Sequence, residues 1–484
     1  WTIAEGQIHL TDTLLRDILA IRGDRESYYY GRQLLWAKHP WIVRLLTEKA
    51  PRLLTTFLDG HLWSSRFMEG GQRRVNYYVR ELYGDPYLEE NGNVYNTMLG
   101  VFIQRLPESE LGNFAHPCVA FVINLKWELF ARRDFALSQL LSFLNVLLNT
   151  VYMQVGATRP FVSFSLALLQ LGVAALRLVS YSVRLVKQTR HGNGSTKHLG
   201  PLSLFVPYAM SDVFMILNMV SSCFVVALFC LTWTANPFSW RGELDSSFAS
   251  EHEGDGWADK HDAQSLNAWA MVAAFTTGML WIQMAEVFKI TTKLSALLFA
   301  ISAVLSDVLR FVLVLAVWVC GFSLMIYWLF VGANLAEGDK DMFESMDAGL
   351  MIDGVKGDAG TFIYFIIMSS LGLTGINVIM ESSWLVRGVY AVCVLSTVVV
   401  LLNLLVSTMV STYDILQMSF HELAVQSRAN LVIRAEESSS MKRRAKHFNA
   451  CEFGEKVDFE DGDDGPSGGI QRVVSSRERN HPTF

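Results

Sequence analysis

The chain has 484 residues, of which 51% are hydrophobic and 18% are charged, with a formal net charge of −6. Soluble proteins carry about 25% charged residues, so this composition favours a membrane protein. The mildly negative net charge gives no indication of a nucleic-acid partner, and the six cysteines form no CxxC pair that would predict a disulfide framework or a zinc site.

Residues 1–114 carry charges throughout and contain no long apolar run, which predicts a mainly helical cytosolic domain. Apolar residues recur at helical spacing in QLLWAKHPWIVRLLTEKAPRLLTTFL, and the turn-rich stretch Glu69–Asn96 is compatible with a short hairpin. A pre-membrane linker follows over residues 115–134. No His, Cys, Asp or Glu cluster has catalytic or metal-ligating spacing, so we expect neither enzymatic activity nor a metal site.

Apolar segments near the length that a helix needs to cross the hydrocarbon core, roughly 20 residues, recur from Phe135 onward. The seven segments are Phe135–Ala157, Phe161–Ser182, Val213–Trp240, Ala263–Ala285, Phe311–Ala336, Ala359–Met380 and Gly388–Tyr413. The sixth is interrupted by SSLGLTGIN, which is not typical of a spanning helix. Irregular backbone at membrane depth is tolerated where it lines a cavity, so this segment is predicted to enter the membrane and return.

The loop charges favour six crossings and one re-entrant loop. Basic residues follow the second, fourth and last segments, whereas acidic residues fill the loops after the third and fifth. A full crossing by Ala359–Met380 would place MKRRAK outside, against the positive-inside tendency. Both termini are therefore expected in the cytosol, and the sequon at Asn193, which falls in a cytosolic loop, is predicted to be unglycosylated.

A re-entrant segment followed by a full span is the arrangement that forms an ion pore lined by backbone carbonyls. The predicted selectivity filter consists of Leu371, Gly372, Leu373 and Thr374. Acidic residues on either side of this segment would concentrate cations in an outer vestibule. These vestibule residues are Asp353, Asp358 and Glu381. Because SSLGLTG contains no acid, a weakly selective cation pore is expected.

The last span carries one strongly polar residue and two valines on nearly one helix face, which could close the pore by excluding water. This predicted lower gate consists of Asn403, Val406 and Val410. Packing against neighbouring helices is the alternative role for the valines. The fourth span has no Arg or Lys at every third position, so steep voltage gating is not expected. Arg177 and Glu286 could pair with each other, or extend to the membrane interface.

Basic residues at the cytosolic ends of the spans predict a pocket for anionic lipid head groups, in particular phosphoinositides. The candidates are Arg132, Arg133, Arg184, Lys187, Lys289, Lys293, Arg310 and Arg428. Ordinary positive-inside charge is the alternative for each of them. Phosphatidylinositol bisphosphate is thus a candidate regulator, and no other cofactor is expected.

Several stretches, in this order, resemble the transient receptor potential (TRP) cation channels. They are HPCVAFVINLKWELFARRDF, SDVFMILNMVSSC, AVLSDVLRF with VCGFSLMIYWLF, TFIYFIIMSSLGLTG, and LLNLLVSTMVSTY with QSRANLVI. The layout is most similar to the vanilloid type and to algal or protist members, and the similarity covers Ala115 to Glu437. Two departures stand out: no Trp follows Trp384, and no acid follows the filter glycines.

The resemblance implies an all-α polytopic membrane protein, a homotetramer of six-span subunits. Its implied parts are a four-helix voltage-sensor-like domain (135–290), a linker helix (291–310), a pore domain (311–413), a TRP-like helix (414–437) and a cytosolic tail (438–484). It further implies a non-selective cation channel in the plasma or ciliary membrane that passes Ca²⁺, Na⁺ and K⁺. Such a channel would open in response to lipid, temperature or another sensory stimulus.

Two other classes of protein stay open at this point. If every apolar segment crosses the membrane, the chain is a seven-span receptor with an external N-terminus. Lys126, Arg132 and Arg133 precede the first span, however, and basic residues favour the cytosolic side. A secondary transporter also contains broken helices, although these usually occur as an inverted pair, and one interrupted segment is visible here.

Overall fold

The computed structural model describes residues 2–20, 35–68, 70–87, 93–156, 159–199, 202–235, 258–337, 384–453 and 469–475. The chain divides into two compact units. One comprises Trp1–Ala296 with His421–Phe484, and the other comprises Leu297–Phe420.

In the described part of residues 1–126, six short helices precede the long apolar ones. They are α1 (Ile8–Leu19), α2 (Ile42–Lys49), α3 (Leu54–Asp59), α4 (Arg80–Tyr83), α5 (Met98–Arg105) and α6 (Pro117–Lys126), with 3₁₀ turns at Pro51–Leu53, Val94–Asn96 and Glu108–Ala115. Local capping sets their starts: the Thr97 hydroxyl accepts the Gly100 N–H, and Pro117 begins α6 where no N–H is required. Their apolar faces meet in a core around Leu46, Phe57 and Phe102.

A three-stranded antiparallel sheet joins the two ends of the chain. Its order is β1 (Leu62–Ser64), β2 (Gln72–Tyr77) and β5 (Ile470–Ser475), with β2 in the centre. Tyr77 lies opposite both Leu62 and Ile470. The first strand of the hairpin thus lies before the stretch in which a hairpin was expected. The Tyr77 ring stacks on Phe121 of α6, with centroids 4.2 Å apart, so the sheet packs on the pre-membrane helix.

Four long helices form a bundle: α7 (Arg132–Val155), α8 (Pro160–Arg190), α9 (Val213–Ala235) and α10 (Ala258–Gln283). A π-helical turn at Trp127–Ala131 connects α6 to α7, and a hairpin of β3 (Gly194–Leu199) and β4 (Leu202–Pro207) follows α8. A 3₁₀ turn precedes α9 at Tyr208–Ser211, and another follows α10 at Met284–Ile290. Tyr152 and Thr232, both buried, share a hydrogen bond of 2.7 Å inside the bundle. Small apolar residues such as Ala174 let the helices approach closely.

The second unit contains the 46-residue helix α11 (Thr292–Glu337), which spans the predicted linker helix and the fifth predicted span as one helix. It also contains α12 (Trp384–Leu395), a π-helical segment at Ser396–Leu401 and the first part of α13 (Leu402–Ser438). Within this unit Trp318 donates to the Ser396 hydroxyl at 3.1 Å, and Thr412 donates to Asp307 at 2.6 Å. The last helix, α14 (Met441–Asn449), belongs to the first unit and is capped by Ser440.

Within the described residues, five helices are long and apolar enough to cross a membrane. They lie at Pro117–Val155, Phe161–Arg190, Val213–Thr234, Leu266–Ile290 and Ala300–Ile326. The prediction of a mostly helical membrane protein is confirmed at this level, with two small sheets in addition to the helices. The last predicted span, Gly388–Tyr413, is helical but is not among the five, and the re-entrant segment lies outside the described residues. The count of six spans therefore stays a prediction.

Candidate functional site

The end of α13 carries three charged residues, Arg434, Glu436 and Glu437, whose side chains are largely buried. Successive residues of an α-helix are rotated by about 100°, so these side chains point in different directions. Each contacts a different part of the first unit. We call these contacts the junction: Arg434 with Asp212 and Glu286, Glu436 with Lys126, and Glu437 with Arg184.

Lys126 and Glu436 form the most deeply buried ion pair of the junction. The Lys126 ammonium lies 3.0 and 2.8 Å from the two Glu436 carboxylate oxygens, and the two side chains are 0% and 3% exposed. The same ammonium lies 4.5 Å from the centre of the Tyr83 ring, and Arg444 approaches Glu436 to 3.8 Å. The pair fixes α13 to the C-terminal end of α6.

Glu437 connects α13 to the far end of α8. Its carboxylate accepts from Arg184 at 2.6 Å and from Gln188 at 3.1 Å, and its backbone carbonyl accepts from Lys187 at 3.1 Å. Gln188 also donates to the Tyr95 hydroxyl at 2.8 Å. Burial raises the pKa of Tyr95, so this hydroxyl stays protonated. The contacts continue into the N-terminal domain.

Arg434 connects α13 to the end of α10 and the start of α9. It donates to Glu286 at 2.7 Å and to the Tyr181 hydroxyl at 3.4 Å, and lies 3.9 Å from Asp212, which also pairs with Lys289 at 3.4 Å. Burial alone would lower the pKa of Arg434, but the neighbouring Glu286 raises it above its usual value. Burial likewise opposes ionisation of Asp212, but the charges of Lys289 and Arg434 together lower its pKa, which favours the carboxylate form of Asp212.

The expected alternative of an Arg177–Glu286 pair does not match this geometry. Glu286 is 1% exposed and is occupied by Arg434 and by the Gln139 amide at 3.0 Å. Arg177 instead donates to the Ser138 carbonyl at 3.2 Å and to the Ser142 hydroxyl. Arg434 is thus the partner of Glu286.

The predicted lipid-binding residues that the structure describes in the first unit contact several different partners. Three of them belong to the junction, where Arg184 and Lys187 bind Glu437 and Lys289 binds Asp212. Arg428 donates to the Asn124 amide oxygen at 3.0 Å and lies over the Trp127 ring.

The other lipid candidates have no contact with the junction in the described part of the chain. Arg310, in the second unit, is 78% exposed and 3.5 Å from Asp307. Arg132 and Arg133 are exposed at the start of α7. The side chain of Lys293 lies outside the described residues. Arg132 and Arg133 are therefore the exposed members of the predicted set among the described residues of the first unit.

The predicted lower gate lies on α13, one turn after the π-helical segment. Val406 and Val410 are 53% and 54% exposed on the isolated chain and share one face of the helix. The Asn403 side chain donates to the Val399 carbonyl of its own helix at 2.7 Å. The predicted filter and vestibule residues (Leu371, Gly372, Leu373, Thr374, Asp353, Asp358 and Glu381) lie outside the described residues.

Sequence reasoning missed the three junction residues on α13, Arg434, Glu436 and Glu437. Glu436 and Glu437 lie 310 and 253 residues from their basic partners, and spacing along the chain carries no trace of such a contact. The sequence feature that could have indicated the junction is the run RAEE, which places three charged residues directly after the apolar stretch LVI.

No protein-family model matches the chain, and no curated protein matches its sequence. The described part of the chain defines a mostly helical protein with five candidate membrane-spanning helices and a buried network of charges.

Asn193 lies between the end of α8 and the start of β3. Its side-chain amide forms two reciprocal hydrogen bonds with the Asn93 amide, at 2.9 and 3.1 Å. Asn193 is 8% exposed, which leaves no room for a glycan.

We expect no change in electrophoretic mobility when the protein is expressed in animal cells and treated with the glycosidase PNGase F. The variant Asp245→Asn, which creates a sequon in the predicted external loop, should carry glycan and serves as the positive control. Glycan on Asn193 would contradict the predicted topology.

Proposed function

We propose that the chain is one subunit of a homotetrameric, non-selective cation channel of the TRP type, permeable to Ca²⁺, Na⁺ and K⁺. The proposal is supported by the order of the TRP-like stretches and by the interrupted segment between two apolar helices. The observation that carries it is the helical run from Trp384 to Ser438. The predicted gate lies just before its middle, and three buried charges hold its end in the first unit.

This arrangement suggests how a stimulus would reach the gate. A displacement of α6, α8 or the end of α10 would move the end of α13 through the junction, because buried ion pairs resist separation. A continuous helix transmits such a displacement along its axis. π-Helical segments inside α-helices are frequent at functional sites. The segment at Ser396–Leu401 would allow the part of the helix that carries the predicted gate to rotate about the helix axis.

Purified protein in liposomes tests the channel activity directly. We expect a mass four times that of the 54.4 kDa chain and uptake of both Na⁺ and Ca²⁺ down their gradients. Uptake that requires a counter-transported ion would favour the transporter instead, and a monomer without ion flux would favour the receptor.

A phosphoinositide regulator is part of the proposal, and Arg132 with Arg133 is its most accessible site. Each basic residue near an anionic head group contributes about 1 kcal/mol, which is about fivefold in affinity. We expect Arg132→Gln with Arg133→Gln to raise the half-activating concentration of a soluble phosphatidylinositol bisphosphate at least fivefold in excised patches. The control variant Arg16→Gln removes an exposed arginine of the N-terminal domain and should leave the response unchanged. An unaltered response in the double variant would remove these residues from the proposal.

A further inference from the structure

A pocket of about 730 Å³ lies between the N-terminal domain and the end of α8, within the first unit. Its walls come from α2, from the turn that includes Val94–Asn96, and from Arg190 and His191 at the end of α8. The volume lies in the range of pockets that hold a drug-sized ligand. None of the predicted site residues lines it.

The pocket carries an excess of positive charge. Glu48 is the one carboxylate in its lining, and it is shared by Arg44, at 3.1 Å, and by Arg105. Burial lowers the pKa of Arg105, and the nearby charge of Arg44 lowers it further, as expected for two guanidinium groups that converge. Arg190 is exposed at the mouth and has no acidic partner within the described part of the chain. Guanidinium groups in such a setting bind phosphate.

An apolar surface lies next to these charges. Trp41 and Leu45 also line the pocket and are 40% and 36% exposed, although they belong to a domain with a well-packed core. A Trp ring offers a face on which a planar ring can stack, and such stacking is favourable by about 1 kcal/mol. The lining therefore combines a phosphate-binding side with a ring-binding side.

The position along α8 favours a soluble ligand over a lipid. Arg190 lies eight residues after Ser182, the last residue of the predicted apolar span, which is about 12 Å along a helix. The head-group layer is about 5–8 Å thick on each side of the hydrocarbon core. The pocket would thus lie beyond the head groups.

We propose that this pocket binds a soluble phosphate ester that carries a planar ring, the chemistry of a nucleotide. Its phosphates would contact Arg44 and Arg190, and its ring would lie on Trp41. The ligand would contact both the N-terminal domain and α8, and so would stabilise their contact. The proposal goes beyond the channel function and does not depend on it, because binding can be measured without ion flow.

Isothermal titration of the full-length protein in nanodiscs of uncharged lipid tests this inference. Three probes separate the sources of phosphate: ATP, inorganic tripolyphosphate, and vesicles that contain phosphatidylinositol bisphosphate. We expect saturable binding of ATP, weaker binding of tripolyphosphate, and vesicle binding that does not compete with ATP. Arg190→Gln should weaken ATP and tripolyphosphate about tenfold, as expected for loss of one charge-assisted hydrogen bond.

Trp41→Leu separates the ring from the phosphates. It should weaken ATP about fivefold and leave tripolyphosphate unchanged, whereas Arg16→Gln should change neither. Retention of the wild-type elution volume shows that each variant is folded. Absence of saturable ATP binding at millimolar concentration, equal affinity of wild type and Arg190→Gln, or displacement of ATP by the vesicles would each overturn the proposal.

Discussion

Replacement of Lys126 by Met is expected to destabilise the protein by about 3–5 kcal/mol, because it leaves the Glu436 carboxylate charged and buried with its closest partner removed. The Glu436 side chain is 3% exposed, so water cannot replace the lost ammonium. Arg444, at 3.8 Å, is too far away for a strong hydrogen bond. We expect a clearly lower midpoint of thermal unfolding, followed by tryptophan fluorescence in detergent.

Two further variants show whether the buried charge is the cause. Lys126→Met combined with Glu436→Gln removes both charges of the pair and should recover most of the lost stability. Lys446→Met removes an exposed lysine from α14 and should change the stability by no more than about 0.5 kcal/mol. If the single and double variants unfold at the same temperature, the pair does not stabilise the junction as described.

Replacement of Arg434 by Met should also have a large effect. We expect it to lower the stability of the protein and to impair gating. The variant leaves Glu286, which is 1% exposed, with the Gln139 amide as its remaining hydrogen-bond donor in the described structure. The cost is again about 3–5 kcal/mol. Because Arg434 connects α13 to the 3₁₀ turn that follows α10, we also expect a smaller current per channel at the cell surface in response to heat or a soluble phosphoinositide.

The conservative and compensating variants distinguish gating from folding. Arg434→Lys keeps the positive charge, but a lysine ammonium cannot reproduce the two guanidinium hydrogen bonds to Glu286 and the Tyr181 hydroxyl. We therefore expect a current between those of the wild type and Arg434→Met. Arg434→Met with Glu286→Gln should restore surface expression without restoring the current, since no charged contact joins the two helices. A wild-type current in this double variant would show that the contact is not part of gating. Surface biotinylation provides the count of channels.

The sequence predicted the long helices well because membrane spans are encoded locally, in the length and apolarity of a segment. Val213–Ala235 and Pro160–Arg190 follow the predicted segments closely at their starts. The π-helical segment at Ser396–Leu401 has no such local signal, since STVVVL reads as an ordinary apolar helix.

Contacts between distant segments could not be predicted in this way. Ile470–Ser475 pairs with Gln72–Tyr77 across most of the chain, and neither strand alternates strongly enough to identify the other. Arg184 and Lys187 were interpreted as lipid ligands, because their partner Glu437 on α13 lies 253 and 250 residues away in the sequence. Similarly, Trp41 was not predicted as a site residue, whereas the structure places it in a pocket wall.

The decisive experiment is patch-clamp recording of the expressed protein, in which all permeant external cations are exchanged for a large impermeant cation. Heat and a soluble phosphoinositide on the inner face would serve as stimuli. The channel proposal predicts an inward current that the exchange abolishes and whose relative permeability to Ca²⁺ and Na⁺ changes in Gly372→Ala. A protein that reaches the surface and passes no current under any of these stimuli, or a current whose selectivity ignores Gly372→Ala, would contradict the proposed pore.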